Sequence, residues 1–258
     1  MSAIHPTALV DPRARLAPGV GVGPYTVIDG DVEIGAGTSI GAHCVVTGHT
    51  TIGRENRVFH FCSIGEANQD KKYGGEPTRL SIGDHNTIRE YCSLHRGTVQ
   101  GGGITSVGHD NWIMAYCHIA HDCHVGDHAV FANNATLAGH VTVGDHAVLG
   151  GFTGVHQFVK IGAHVMAGVS SVVLQDIPPY VTVAGHPCAP HGINGEGLRR
   201  RGFTPDSIAA LKRAYKTLYK SGLGLAEAKA ELERQARDAP EVGAIVAFLA
   251  TATRGIVR

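Results

Sequence analysis

A chain of 258 residues is long enough for one large domain or two modest ones, and its 22 basic and 22 acidic side chains cancel at neutral pH. That balance argues against nucleic acid or an anionic membrane surface as a partner. No stretch approaches roughly 18 uninterrupted apolar residues, and the opening MSAIHPTALVDPRARL has no apolar segment behind a basic one, so a soluble cytoplasmic protein without stable membrane insertion is expected.

From Ile4 onward every sixth residue is aliphatic, through Val10, Leu16, Val22, Ile28, Ile34, Ile40, Val46, Ile52 and Val58 to Ile64. The rhythm lapses at Ala67, resumes at Ile82, Ile88 and Leu94, lapses again, and runs with its phase shifted by one from Val107 to Ile161. Neither a helix nor a two-sided strand repeats at six. A short strand followed by a tight turn does, with one aliphatic side chain per strand pointing inward and a small residue after it, often glycine, letting the backbone bend. Three such sides close one coil of a triangular prism. This hexapeptide pattern resembles the left-handed parallel β-helix, and the handedness comes from that resemblance.

Cys44, Cys62, Cys92, Cys117 and Cys123 occupy the same hexad position, where other hexads carry Ala, Thr or Val. They are expected as buried thiols acting as small hydrophobes, and a reducing compartment argues against disulfides. Cys188 lies outside the repeat.

Beyond Pro178, Pro179 and Pro190 the rhythm stops. Thr204 and Pro205 predict a helix start, and Ile208, Leu211, Tyr215 and Leu218 follow at helical spacing, with Lys212, Arg213, Lys216 and Lys220 off that stripe. Two further helices are expected, within LAEAKAELERQARD and PEVGAIVAFLATATR. The predicted architecture is a β-helix over residues 1–190 with excursions at 67–81 and 95–106, then a small helical domain over 191–258. That domain carries 12 of the 22 basic residues against 7 of the 22 acidic ones.

The segment HIAHDCHVGD at 118–127 concentrates the chemistry. With 18 residues per coil, His121, Gly139 and Gln157 fall in one column, with His140 and His156 beside it. Three readings compete. A metal ion needs its ligands within about 2.0–2.3 Å, yet His118 and His124 belong to different sides of the prism, so zinc would require ligands shared between subunits. The histidines could instead be polar corner residues of a non-enzymatic scaffold. As a third reading, His121 is a general base oriented by Asp122, which requires a turn at 121–122.

Further motifs narrow the choice. HPTA at 5, GEANQDKKYGGEPTRL at 65–80, HRGTVQGGG at 95–103, HIAHDC at 118, FANNATLAGH at 131, GVHQF at 154 and NGEGLRRRGF at 194 together resemble the UDP-N-acetylglucosamine 3-O-acyltransferase family of lipid A synthesis, from end to end of the chain. The resemblance implies transfer of an (R)-3-hydroxyacyl chain from acyl carrier protein to the sugar 3-hydroxyl, in a homotrimer with sites between subunits. No metal or other cofactor is implied, the acyl carrier protein thioester being a co-substrate. It makes His121 the base, Asp122 its partner and the Gly139 N–H the oxyanion donor. His118, His140, His156 and Gln157 would hold sugar and acyl groups, together with Asp70, Lys72 and His95. Asn194, Glu196, Arg200 and Arg201 match the nucleotide end, and the basic helix face would dock acyl carrier protein.

The chain departs from the family at two places. Pro187 stands where the family has a histidine on the uridine side. Val169 stands where long-chain members have glycine at the end of the acyl groove. Val169 lies about 2.7 coils from His121, roughly 13 Å along the axis, which predicts a donor of about 10–12 carbons rather than 14. The sister N-acyltransferase would need a separate uridine-binding domain, and an acetyl-CoA-dependent enzyme would lack the long insertion and the helical cap.

Overall fold

The computed structural model describes residues 3–258. Two-residue strands recur every six positions, and each pairs in parallel with the strand one coil on, as in Ala3↔Gly21, Leu9↔Val27 and Arg15↔Glu33. Among the described residues they form three sheets of 11, 9 and 8 strands, which are the three faces of a left-handed β-helix. The first face holds Trp112–Ile113 and Met166–Ala167, the second His118–Ile119, and the third His124–Val125. The hexad aliphatics fill the interior, Ile28, Ile52, Ile64, Ile88 and Ile119 being almost fully buried.

Glycine follows the aliphatic residue for a different reason from the one the repeat suggested. Gly35 and Gly41 have ordinary negative φ, but a Cβ on either would lie 2.6 Å from the backbone of the next coil. Close stacking of coils therefore excludes a side chain there. The left-handed turn residue sits further along each corner and is seldom glycine: Tyr25, His43, Phe61, Tyr91 and Tyr116 line the edge between the first and second faces, and His128, His146, His164 and Tyr180 the edge between the third and first. That conformation costs an L residue roughly 1–2 kcal/mol. Rings stacked at centroid distances of 4.7 to 5.5 Å along these edges offset part of the cost.

All six cysteines are free and buried. The hexad thiols donate to backbone carbonyls, Cys44 to Phe59 at 3.0 Å and Cys62 to Arg89 at 3.1 Å, and burial pushes Cys123 up to about 12.

The excursions are shorter than the rhythm predicted. Strands Arg79–Ile82 and Ile104–Val107 pair along their whole length, Arg79↔Ile104 included, because a strand continues upstream of its inward aliphatic while its neighbour offers partners. The chain leaves the coil only at 67–78 and 96–103.

Past the last coil, Val181–Gly185 and Cys188–Ile193 form an antiparallel hairpin that extends the first face. Four helices follow rather than three: α1 (Gly195–Arg200), α2 (Pro205–Tyr219), α3 (Leu225–Gln235) and α4 (Pro240–Thr251). Thr204 caps α2 by accepting from the Ser207 N–H. Leu198, Leu211, Leu218, Leu232 and Val242 make a second core with Tyr180. The C-terminal segment returns to the prism, where the buried Asp176 carboxylate accepts from the N–H groups of Lys160 and Thr253. No helix among the described residues is long and apolar enough to cross a membrane.

Candidate active site

The strand His118–Ile119 lies within the second face, and the chain turns at Ala120–Asp122 onto the third. Neighbouring side chains on a strand point apart, but Asp122 has φ +59°, and this left-handed turn brings its carboxylate back to the ring beside it. His121 Nδ1 lies 2.8 Å from Asp122 Oδ2. Asp122 is buried, and its Oδ1 accepts from the Thr98 N–H at 2.8 Å while Oδ2 also accepts from the Thr98 hydroxyl at 2.6 Å. A carboxylate accepts and does not donate, so the His121 proton sits on Nδ1 and the Nε2 lone pair is left for chemistry.

One coil on, Gly139 is buried against the His121 ring, with space for no side chain: a Cβ would lie 2.6 Å from Nε2. The Gly139 N–H donates to no acceptor among the described residues, as at the same hexad position of other coils, His121 and Gln157 included. His140 Nε2 stands 3.7 Å from Asp122 Oδ2, and its ring meets His121 edge-on and stacks on Phe158 at 4.3 Å.

These groups open into a cleft of about 700 Å³ lined by Asp70, Lys72, Thr98, His121, His140 and Gln157. The first excursion is tied into place there. Asn68 donates to the Gly97 carbonyl and accepts from the Asp70 N–H, and Asp70 accepts from the Lys72 N–H. His118 and His95 lie behind the cleft with rings edge-on at 4.9 Å, and His118 is hydrogen-bonded to Ser93 at 2.7 Å. Burial is the main reason that the pKa values of His118 and His140 fall below the ordinary imidazole value, and that His95 is pushed down to about 4. Burial therefore favours the neutral form of all three rings. His156 is exposed beside Gln157, to whose carbonyl its Nδ1 donates at 3.1 Å.

The other expected site residues stand away from this cleft. Val169 lies on the edge between the first and second faces, 71 % exposed, so the axial distance alone does not measure its path from His121. Asn194 caps α1 and donates to the His164 carbonyl, and Glu196 pairs with Arg199 and Arg200. Arg201, half-buried, lies by the His146–His164 edge, whose pKa values are lowered first by burial and further by that guanidinium. Pro187 is exposed at the hairpin turn.

His118 and His124 lie on different faces, as their spacing required. A different trio, His121, Asp122 and His140, brings possible ligand atoms within 4.8 Å of one another. Both Asp122 oxygens already accept hydrogen bonds, so the trio is satisfied as a hydrogen-bonded dyad with a flanking histidine. Thr98 and Phe158 belong to this site without having been singled out in the sequence. The glycine run in HRGTVQGGG is the one signal that pointed towards Thr98.

Residues 176–257 match the family described as UDP N-acetylglucosamine O-acyltransferase, domain 2, and residues 13–48 and 104–139 match the bacterial transferase hexapeptide family. The chain is 65 % identical over 258 residues to the acyl-[acyl-carrier-protein]–UDP-N-acetylglucosamine O-acyltransferase of Thiobacillus denitrificans, covering 100 % of both. It is 55 % identical to the Xylella fastidiosa protein of the same description, covering 100 % of this chain and 98 % of that one. Among solved structures, LpxA from Acinetobacter baumannii superposes with a TM-score of 0.97 at 48 % identity, and the UDP-N-acetylglucosamine acyltransferase of Campylobacter jejuni with 0.93 at 38 %, each covering 99 % of both chains.

Proposed function

The chain belongs to the acyl-[acyl-carrier-protein]–UDP-N-acetylglucosamine O-acyltransferase family, and on that premise we propose that it moves an (R)-3-hydroxyacyl group from acyl carrier protein to the 3-hydroxyl of UDP-N-acetylglucosamine, the first step of lipid A synthesis. The observation that carries the mechanism is the His121–Asp122 pair beside the unpartnered Gly139 N–H. His121 Nε2 takes the proton of the sugar hydroxyl as its oxygen attacks the thioester carbonyl. The new C–O bond leaves a tetrahedral oxyanion, to which the Gly139 N–H donates. Collapse breaks the C–S bond, and the departing thiolate receives the proton from His121. Each step balances without a metal or redox cofactor.

His118, His140, His156 and Gln157 bind around the reacting atoms, and Asp70 and Lys72 cover them from the first excursion. Val169 stands on the edge between the first and second faces and the Asn194, Glu196, Arg200 and Arg201 group at α1, beside the edge between the third and first, so in this reading neighbouring copies bring them to the cleft. This supports a homotrimer whose sites lie between subunits. Two guanidiniums suit a diphosphate. The exposed Lys212, Arg213 and Lys216 on α2, with Lys220 at its C-cap, suit an acidic carrier protein.

The test supplies purified protein with 3-hydroxyacyl carrier protein and either UDP-N-acetylglucosamine or its 3-amino analogue. The reading expects a base-labile ester on the ordinary sugar, with one free thiol per product. An amide with the amino sugar and no ester would overturn the acceptor assignment, and no transfer to either would overturn the reaction.

A further inference from the structure

The second excursion wraps the Asp122 carboxylate more closely than a connecting loop requires. Thr98 donates to both carboxylate oxygens, through its N–H to Oδ1 and its hydroxyl to Oδ2, and the same hydroxyl accepts from the Gly101 N–H at 3.1 Å. That acceptance fixes its single proton toward Asp122. Glycines on either side leave room for the wrap: a Cβ on Gly97 would lie 2.8 Å from Asp122 Oδ1, and one on Gly101 would overlap the carboxyl group itself. Thr98 is buried, and the loop is braced from outside, Arg96 Nε donating to Tyr73 Oη at 2.8 Å and Asn68 to the Gly97 carbonyl at 2.9 Å. The ligands of Asp122 Oδ2 are thus the Thr98 hydroxyl and His121 Nδ1, with His140 Nε2 further off.

We infer that Thr98 is a positioning residue for the acyl transfer, its hydroxyl and N–H holding Asp122 in the one orientation that presents a proton acceptor to His121 Nδ1–H. The inference rests on the reading of His121 as the base. Thr98 acts through Asp122, which both its donors hold. Without the hydroxyl, Asp122 is free to rotate about its remaining contacts, and His121 Nε2 loses its fixed aim at the sugar hydroxyl.

The experiment measures kcat and KM for both substrates in Thr98→Val, Thr98→Ser, Asp122→Asn and the Thr98→Val/Asp122→Asn double variant, with His121→Ala as control. Thr98→Val is expected to lose roughly tenfold in kcat with KM nearly unchanged, since one of several donors to a charged acceptor is removed. Thr98→Ser restores the rate. In the Asp122→Asn background Thr98→Val costs nothing further, because the group it acts through is gone. Wild-type kcat in Thr98→Val, or a loss that multiplies in the double variant, overturns the inference. Should Thr98→Val fail to fold, Thr98→Cys, a poorer donor of similar volume, reads the same kcat loss, and a wild-type kcat there is equally fatal. An active His121→Ala would instead strike the base assignment, while an inactive one beside a wild-type Thr98→Val leaves that assignment standing and removes only Thr98.

Discussion

Replacing Gly139 by alanine adds one methyl group at a position whose backbone tolerates it, since Gly139 is not among the residues with positive φ. The obstacle is the His121 ring. The new Cβ would stand 2.6 Å from Nε2 and 3.0 Å from Nδ1, whereas carbon in van der Waals contact needs about 3.5 Å, so the imidazole must retreat by about 1 Å. Such a retreat stretches the 2.8 Å bond to Asp122 and carries Nε2 off line. A misplacement of about 1 Å typically costs on the order of 10²-fold in rate, and that loss is expected in kcat rather than KM. The fold should bear the change easily. The ring adjoins an open cleft and can swing outward, so Tm should fall by about 2–4 °C per kcal/mol for the one weakened charged hydrogen bond. Alanine keeps the Gly139 N–H, so the measurement isolates the displacement of His121 from loss of the oxyanion donor. Steady-state assays beside a thermal melt suffice, and a kcat within about threefold of wild type would refute the steric argument.

Acid stability follows from the buried histidines. His95 and His164 are both pushed down to about 4, mainly by burial, below the ordinary 6.5, so the unfolded chain binds more protons between those values. Stability is full above about pH 6.5 and lost as pH falls toward 4, and His164→Phe, which keeps the stack between His146 and Tyr180, should flatten part of that loss in Tm measured against pH; an unchanged slope would contradict it. Light scattering should give three times the 27.0 kDa chain mass, and a fully active monomer would contradict sites between subunits. Wild-type protein should prefer donors of about 10–12 carbons, and Val169→Gly should raise activity with the 14-carbon donor; a strong wild-type preference for 14 carbons, unchanged by the substitution, would remove Val169 as the ruler.

The β-helix was legible because its core accepts one aliphatic side chain per hexad, a constraint that every coil repeats. The turn at His121 and Asp122 followed from the same count. Other features carry no repeated constraint. The hairpin from Val181 to Ile193 is interrupted by Gly185, Pro187 and Pro190, which read as breakers, and α1 is too short for a helical stripe to emerge. The C-terminal return depends on one buried carboxylate, Asp176, with partners far along the chain. Thr98 escaped notice because the excursions break the rhythm, and nothing in a loop's spacing says which side chain it turns inward. The edge of Val169 was countable all along. Its separation from His121 is a multiple of six but not of the 18 residues in a coil, which puts the two on different edges.

The central claim is that His121, aimed by Asp122, is the base for acyl transfer to the sugar hydroxyl. The most direct test is kcat of His121→Ala with 3-hydroxyacyl carrier protein and UDP-N-acetylglucosamine, on protein whose circular dichroism and oligomeric mass match wild type. The account predicts a loss of about 10²–10⁴-fold with KM for both substrates little changed. Turnover at the wild-type rate would contradict it.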